Sequence, residues 1–177
     1  MFTGELVRLG ALLPEHFTTL HGWDDAPEIQ RLADDNAIRP HTPAQRDDLY
    51  RIFQKNHVYA FAIFRLTDDQ LIGSCTLAKF DTRSRIGALG IVISAPDAAG
   101  HGCGSDAIRL LVDYGFNELN LYRLELEVFA FNAAAIHTYE KLGFQMEVVK
   151  RDAVYREGSY HDMYLLGLLQ SEWAGRS

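Results

Sequence analysis

Three glycines at alternate positions, Gly100, Gly102 and Gly104, constrain this chain more than any other feature of its sequence. A β-rich run at 86–94 precedes them, and the segment SDAIRLLVDYGFNELN after them repeats apolar residues at helical spacing. A strand is therefore expected to pass through a glycine turn into a helix. Such a turn lets backbone amides approach an anion with no Cβ in the way, and the helix start adds about half a positive charge.

The segments ahead of the glycine turn predict an antiparallel meander. Three β-rich runs, 58–66, 71–80 and 86–94, are separated by short polar stretches of the kind that connect hairpins. Nearer the N-terminus, the run 5–12 alternates as a strand does, which places Val7 and Leu9 on one face and Leu6 and Arg8 on the other.

Prolines mark the predicted helices of the first third, because proline fits the first helical turn. One helix is predicted from Pro14 to Trp23, a second from Pro27, and a third from Pro43 to about Lys55 with Thr42 as its cap. Beyond the glycine turn and its helix, the predicted order is a strand at 123–129, a helix at 132–142 and two strands near 145–154 and 160–168. With no repeat or linker, residues 1–177 are predicted to form a single α/β domain: a mixed, mostly antiparallel sheet of about seven strands flanked by helices.

Composition and charge limit the classes of function. The chain has 177 residues, 47% of them hydrophobic, which suits one globular domain with a substantial core. Its formal net charge of −7 argues against a nucleic-acid partner and suits a cationic substrate. No stretch approaches the roughly 18 apolar residues of a membrane span, and no targeting segment is recognisable, so no membrane partner is expected.

Cysteine and histidine patterns give no sign of a metal site. Cys75 and Cys103 belong to no Cys-x-x-Cys pair or zinc-type spacing, and two cysteines cannot form a disulfide framework. The histidines show no H-E-x-x-H arrangement. The sequence therefore predicts a protein of the reducing cytoplasm that uses no metal.

Several interpretations of the glycine turn compete. A nucleotide triphosphatase loop would place a lysine before Ser105, where the chain has Gly104. A dinucleotide-binding turn would need glycine at 105 and would follow the first strand of a βαβ repeat, whereas an antiparallel meander is predicted here. A tight turn without any ligand is a further alternative.

Two motifs resemble the GNAT superfamily of N-acetyltransferases. LGIVISAPDAAGHGCGSDA is similar to the family's fourth strand, its Q/R-x-x-G-x-G/A loop and the next helix, and VFAFNAAAIHTYEKLGF is similar to its fifth strand and following helix. The opening ELVRL and the region of Trp23 and Asp25 resemble the branch that acetylates ribosomal-protein N-termini, while DYGFNELNLYRLELEV resembles spermidine acetyltransferases. The resemblance implies a GNAT-like domain whose fourth and fifth strands splay apart.

The resemblance also implies acetyl-CoA as cosubstrate, without a metal. Backbone groups of Val92, Ile93 and Ser94 would pair with the pantetheine arm like an added strand. Ala99 stands where the family has Gln or Arg, and His101 where Lys is common, so backbone amides would supply most of the grip. The residues expected to hold the pyrophosphate are Gly100, His101, Gly102, Cys103, Gly104 and Ser105, and Asn132 is expected to hold the cofactor as well.

Acetyl transfer from a thioester to an amine needs a deprotonated amine, a polarised carbonyl and a proton for the departing thiolate. Tyr139 matches the family tyrosine that protonates the thiolate, and a phenol of pKa about 10 is a credible donor to a thiolate whose acid has a pKa of about 8.5. A backbone amide near Ile93, where this fold usually carries a bulge, would polarise the carbonyl.

The base that deprotonates the amine is left open by the sequence. Leu89 stands where the spermidine branch has a Glu and cannot serve. Trp23 would wall the acceptor groove. The remaining candidates are Asp25 and Glu28 near the N-terminal helices and His161 and Asp162 near the last strand, each of which also suits a solvated surface role.

The sequence thus predicts an acetyl-CoA-dependent N-acetyltransferase that acts by direct transfer. Its acceptor would be a primary amine: a protein N-terminus, a polyamine or another small amine. Exposed edges of a mixed sheet favour a homodimer. The main alternative is a non-catalytic coenzyme A-binding module of the same fold, motivated by Ala99 and Leu89, and a dinucleotide-dependent enzyme is a third hypothesis.

Overall fold

The computed structural model describes residues 2–42, 44, 45, 48, 51, 58–81 and 83–174. The strands in this part of the chain are β1 (Phe2–Thr3), β2 (Val7–Ala11), β3 (Tyr59–Arg65), β4 (Leu71–Asp81), β5 (Ile86–Ile93), β6 (Arg123–Phe129), β7 (Gln145–Arg156) and β8 (Ser159–Leu169). The helices are α1 (Pro14–Asp24), α2 (Pro27–Ala33), α3 (Cys103–Asp113), α4 (Ala133–Leu142) and α5 (Gln170–Ala174), and α3 continues into a π-helical turn at Tyr114–Glu118.

The strands follow the order β1-β2-β3-β4-β5-β6-β8-β7 in one mixed sheet. The β5–β6 pair is parallel, whereas β1–β2, β2–β3, β3–β4, β6–β8 and β7–β8 are antiparallel. This confirms the predicted mixed, mostly antiparallel sheet flanked by helices. The strand that the sequence did not reveal is β1, whose two residues are too few for an alternating pattern to be recognised.

The described residues form two compact units. The first lies within residues 1–79 and 90–112, and the second lies within residues 80–89 and 113–177. The glycine turn belongs to the first unit, and the helix that carries Tyr139 belongs to the second.

The first unit buries the predicted face of β2 and one side of α1. Val7 and Leu9 are buried, whereas Leu6 is exposed and Arg8 is half-buried, as the alternation predicted. One buried cluster of this unit consists of Leu12, Phe17, Leu20 and Ala62.

The cap of the predicted third helix is in place. The N–H of Gln45 donates to Oγ1 of Thr42 at 3.4 Å, and the N–H of Thr42 donates to Oε1 of Gln45 at 2.9 Å. This reciprocal pair is a capping box, which confirms Thr42 as a cap. Most of the predicted helix from Pro43 to Lys55 falls outside the described residues.

The second unit is built around β6. Its parallel ladder with β5 joins Ile86–Ala88 to Arg123–Glu125, which is shorter than either strand, as expected for strands that splay. On its other side β6 pairs with β8 along its whole length. The buried residues on one face of the β6–β8 pair include Leu124, Leu126, Val128, Leu166 and Leu168.

Ion pairs on the opposite face connect β6 to β7 across β8. The Arg123 guanidinium pairs with Glu147, and Lys150 pairs with Glu127. Gly167 of β8 lies beneath the first pair, where a Cβ would come within 2.6 Å of the guanidinium nitrogens. Glycine is therefore the residue that lets the Arg123–Glu147 pair lie flat on the sheet.

The C-terminal helix α5 is attached to the π-helical turn by polar side chains. Nε1 of Trp173 donates to Oδ1 of Asp113 at 2.6 Å, and Nε2 of Gln170 donates to the carbonyl of Phe116 at 3.3 Å. The helical spacing of apolar residues extended through residue 119 and did not indicate the π-helical turn, and the sequence analysis did not identify α5. Periodicity does not detect a change of helical hydrogen bonding or a short helix fixed by polar contacts.

Candidate active site

The glycine turn between β5 and α3 has a backbone that only glycine adopts readily. Gly100 and Gly102 have φ values of +79° and +84°, and both residues are exposed. A Cβ on Gly102 would lie 3.1 Å from Cδ1 of Leu6, whereas one on Gly100 would meet open space. The outer side of the turn is therefore unobstructed backbone, which is what a close approach by an anion requires.

Helix α3 starts on this turn without a capping side chain. The residue that precedes Cys103 is Gly102, which has no side chain to accept a first-turn N–H. The Gly102 carbonyl accepts the N–H of Asp106 at 3.0 Å and so begins the helical pattern. An external anion is the natural partner for the amides of such a helix start.

Side chains of the turn offer less to an anion than its backbone does. His101 is exposed, and Cys103 is buried. Burial raises the pKa of the Cys103 thiol, so this group carries no negative charge near neutral pH. Ala99 has no polar side chain. These observations fit the expectation that glycine amides supply most of the grip.

The end of β5 carries the irregularity that was predicted near Ile93. The N–H groups of Ser94 and Ala95 both donate to the carbonyl of Ile72, at 2.8 and 3.0 Å. Two successive residues that face one residue of the neighbouring strand form a bulge-like arrangement. The N–H of Ser94 is thus engaged inside the protein, so a pantetheine arm would have to use the other backbone groups here.

Gly73 of β4 allows the backbone of β5 to come close at this point. A Cβ on Gly73 would overlap the carbonyl oxygen of Val92 and lie 3.0 Å from Cα of Ile93. Val92 and Ile93 are both half-buried. A glycine in this strand therefore marks a close backbone approach, which the sequence pattern alone did not identify.

In the second unit, Asn132 caps its own helix. Its Oδ1 accepts the N–H of Ala135 at 3.2 Å, and the residue is half-buried. At the other end of α4, Gly143 adopts a φ of +100° and its N–H donates to the carbonyl of Glu140 at 2.9 Å. Both termini of α4 are thus closed by the chain's own residues.

Tyr139 lies on the buried side of α4. It is 8% exposed, and its ring meets Phe144 edge to face with 5.8 Å between centroids. Burial raises the pKa of the Tyr139 phenol to about 12. The phenol therefore keeps its proton throughout the physiological pH range, although it is a weaker acid than an exposed tyrosine.

The candidate acceptor residues of the first unit lie on or next to α1 and α2. Trp23 is half-buried in the last turn of α1, and Glu28 is exposed in the first turn of α2. Asp25 lies between the helices, and its Oδ1 is 3.0 Å from Nδ1 of His41. The structure thus supplies a partner for Asp25 that the sequence did not suggest.

The candidates of the second unit, His161 and Asp162, lie on β8. The His161 ring is half-buried and meets Phe131 edge to face, with 5.1 Å between centroids. Oδ1 of Asp162 accepts the N–H of Asp152 at 3.0 Å. The His161 imidazole therefore packs edge to face against an aromatic ring, while the Asp162 carboxylate stabilises the β7–β8 hairpin.

Two buried polar residues were missed because their partners are distant in sequence or on backbone groups. Gln30 of α2 exchanges two hydrogen bonds of 2.9 Å with the backbone of Arg39 and holds that segment against the helix. Asp106 of α3 accepts hydrogen bonds from residues near the N-terminus. Neither pairing produces a recognisable pattern in the local sequence. The one indication in the sequence is that each residue is polar on an otherwise apolar helix face.

The part of the chain that the structure describes contains neither a group of metal-ligating side chains nor a membrane-spanning helix. No three His, Cys, Asp or Glu side chains among these residues converge as a metal site would require. No described helix is long and apolar enough to cross a membrane. Cys75 and Cys103 are free thiols.

The topology weakens one sequence argument against a dinucleotide-binding turn. Because β5 pairs in parallel with β6, the glycine turn does open a strand–helix–strand crossover, although antiparallel strands precede it. The antiparallel meander therefore does not distinguish a dinucleotide-binding turn from a coenzyme A-binding turn, whereas the similarity to known proteins does.

Residues 7–145 match the family model of the acetyltransferase (GNAT) domain. The uncharacterized N-acetyltransferase p20 of Bacillus licheniformis is 30% identical over 158 residues, which are 86% of each chain. The spermidine N(1)-acetyltransferase of Vibrio cholerae is 33% identical over 134 residues, 74% of this chain and 77% of the relative. The crystal structure of spermidine N-acetyltransferase from Vibrio cholerae in complex with CoA and spermine superposes with a TM-score of 0.83 at 26% identity, covering 95% of this chain and 98% of the other.

Proposed function

The chain belongs to the GNAT family of acetyltransferases, whose members move an acetyl group from acetyl-CoA to an amine, and we propose that its acceptor is a primary amine of a polyamine. The resemblance to spermidine acetyltransferases extends over three quarters of the Vibrio cholerae enzyme's length. A formal net charge of −7 suits a polycation, because long-range attraction raises its local concentration.

The glycine turn is the observation that carries the cofactor half of this proposal. Its positive φ values, its exposure and the uncapped start of α3 fit a pyrophosphate held by backbone amides. We assign the pyrophosphate of acetyl-CoA to Gly100–Ser105 and its pantetheine arm to the backbone of Val92, Ile93 and Ser94. Asn132 contributes its amide NH₂ to the cofactor, since its Oδ1 is engaged by Ala135.

Tyr139 supports the departure of the thiol. The acceptor nitrogen attacks the thioester carbonyl carbon, a C–N bond forms, the C–S bond breaks and the sulfur takes up a proton. The Tyr139 phenol, whose pKa is raised to about 12, donates a hydrogen bond to the sulfur as charge develops, transfers its proton once the C–S bond is broken and is reprotonated from solvent. The raised pKa makes it a weaker proton donor than an exposed tyrosine, so the hydrogen bond to the developing thiolate is its main contribution.

The proton lost by the amine goes to an acceptor that we place among the acidic and imidazole groups already described. An alkylammonium of pKa about 10.4 has to lose a proton before it can attack. Leu89 is buried and has no proton-accepting group, so the base cannot come from that strand position. The candidates remain Asp25 and Glu28 in the first unit and His161 and Asp162 in the second.

The acceptor is tested by acetyl-CoA consumption over a panel of amines, with mass measurement of each product. Spermidine and spermine should be acetylated with a higher kcat/KM than peptides with free N-termini or aminoglycosides. A preference for peptides would move the chain to the protein N-terminus class and overturn the polyamine proposal. Coenzyme A binding without consumption of acetyl-CoA by any amine would instead favour the non-catalytic module.

Two further expectations accompany the proposed activity. The free thiols of Cys75 and Cys103 fit a protein of the reducing cytoplasm, and fractionation of the native host checks this. Strand β7 lies at one edge of the sheet and favours a homodimer. Light scattering coupled to size exclusion should give at least twice the mass of 20.0 kDa, and a monomer would contradict it.

A further inference from the structure

The carboxylate of Asp106 is buried at the start of α3, next to the glycine turn. The residue is 5% exposed, and one oxygen, Oδ2, accepts the N–H of Leu6 at 2.7 Å and of Val7 at 3.0 Å. These donors come from a segment about one hundred residues earlier in the chain. Asp106 therefore ties the first turn of α3 to the turn between β1 and β2.

A carboxylate at this position would normally disfavour the binding of an anion at the same helix start. Two successive backbone amides compensate its charge, in the manner of a small anion-binding concavity. Because these amides belong to Leu6 and to Val7, the first residue of β2, the charge of Asp106 is satisfied there rather than by the first-turn amides of its own helix. The positive end of α3 is consequently left to an external ligand.

Gly4 makes room for this carboxylate. A Cβ at Gly4 would lie 2.7 Å from Oδ1 and 2.8 Å from Cγ of Asp106, closer than real side chains approach. The N–H of Gly4 donates to the carbonyl of Val7 at 2.9 Å and closes the turn. The segment from Gly4 to Val7 is thus shaped around the Asp106 side chain.

The same segment also contacts the glycine turn directly. Cδ1 of Leu6 would be 3.1 Å from a Cβ on Gly102, so the Leu6 side chain lies against the glycine. The N–H of Asp106 donates to the Gly102 carbonyl at 3.0 Å. Leu6 is therefore held by Asp106 through its backbone and supports Gly102 through its side chain.

We propose that Asp106 is a positioning residue for acetyl-CoA: by clamping Leu6 and Val7 to the start of α3, it holds the glycine turn Gly100–Gly104 in its pyrophosphate-binding geometry. The inference rests on the proposed assignment of the pyrophosphate to this turn. Asp106 itself touches no ligand in this scheme, since its carboxylate points toward the β1–β2 turn.

The test compares Asp106→Ala with Asp97→Ala. Asp97 precedes the glycine turn and pairs with Arg65 at 2.9 Å, but its side chain is 60% exposed, so this matched control removes a carboxylate that contributes little. Asp106→Ala leaves two amides without their charged acceptor, and it should raise the KM for acetyl-CoA and the Kd for coenzyme A about tenfold with kcat within about twofold. Asp97→Ala should change each constant less than about twofold.

A second pair of variants reaches the same contact from its other side. Gly4→Ala displaces the carboxylate and should raise the Kd for coenzyme A several-fold, whereas Gly22→Ala places a methyl group in open space and should leave it unchanged. Asp106→Asn, which keeps an acceptor oxygen without the charge, should give an intermediate Kd. If Asp106→Ala does not fold, Gly4→Ala and Asp106→Asn still test whether Asp106 positions the glycine turn.

Calorimetry with coenzyme A separates the possible failures. Variants at Asp106 and Gly4 that melt at a lower temperature but bind coenzyme A within twofold of the wild type would show a purely structural role and overturn the inference. If the wild-type protein itself bound no coenzyme A, the proposed function would fail instead.

Discussion

Helices α3 and α4 begin in opposite ways. The N-cap of α4 is Asn132, whose side chain accepts the N–H of Ala135, and Gly143 closes its other end. The residue before α3 is Gly102, which has no side chain, and the carboxylate in the first turn, Asp106, accepts hydrogen bonds from another part of the chain. One helix is capped by its own side chain, and the other begins without a side-chain cap.

This difference separates two tasks on similar structural elements. A helix that is capped by its own residues holds a side chain such as Tyr139 in a fixed place, because its ends resist fraying. A helix whose start is uncapped has amides to offer to an anion. We therefore expect changes at α3 to alter cofactor binding, and changes at α4 to alter turnover or stability.

The largest effect is expected from Tyr139→Phe. Loss of the phenolic proton should lower kcat at least about tenfold, because no donor then supports the departing thiolate. The KM for acetyl-CoA should stay within about twofold, which steady-state kinetics at saturating amine measures. An unchanged kcat would show that Tyr139 has no role in the mechanism. It would also contradict the expectation that changes at α4 alter turnover while changes at α3 alter cofactor binding.

Gly102→Ala should give the opposite kinetic signature. An alanine at a φ of +84° is strained, and its Cβ would press on Leu6, so the turn has to shift. The KM for acetyl-CoA should rise about fivefold or more with a smaller change in kcat. Gly22→Ala is the matched control, and equal constants for the two variants would contradict a binding role for the turn.

The alkaline stability of the second unit should depend on Tyr139. The folded-state pKa of about 12 lies above the unfolded value of about 10, so burial of the neutral phenol stabilises the protein below pH 10. That contribution is lost as the pH rises toward 12, on the order of 1 kcal/mol per pH unit. Urea unfolding at pH 9, 10 and 11 should show a steeper decline for the wild type than for Tyr139→Phe, and parallel declines would refute it.

The smallest effect is expected at the cap of α4. Asn132→Ala removes the acceptor of the Ala135 N–H and should cost about 1 kcal/mol, which lowers the melting temperature by roughly 2–4 °C for a chain of this size. Asn132→Asp retains an acceptor oxygen and should recover most of this loss. A melting temperature equal to the wild type in the alanine variant would mean that α4 does not depend on its cap.

Local sequence patterns were sufficient for most of the fold. Alternation predicted the buried Val7 and Leu9, and an Asn-initiated helix ending in glycine predicted α4 nearly to the residue. The glycine turn was recognisable because positive φ favours glycine, and glycines are visible in the sequence. These features share one property: the residues that determine them are close neighbours in sequence.

The rest depended on pairings between distant residues. The contact of Asp106 with Leu6 and the exchange between Gln30 and Arg39 leave no periodic trace. The raised pKa of Tyr139 follows from burial, which a sequence motif does not quantify. The sequence offers Asp25 as a candidate base, and its contact with His41 is evident only in three dimensions. For the site, the sequence therefore identified residue types and left their partners open.

Trp173, whose indole N–H donates to Asp113, gives the second unit a fluorescent probe of its own. The chain has two tryptophans, Trp23 within the first unit and Trp173 within the second. Trp23→Phe and Trp173→Phe therefore give single-fluorophore proteins, each of which reports on one unit. Coincident fluorescence transitions in the two proteins would identify a single cooperative domain, and separate transitions would identify two.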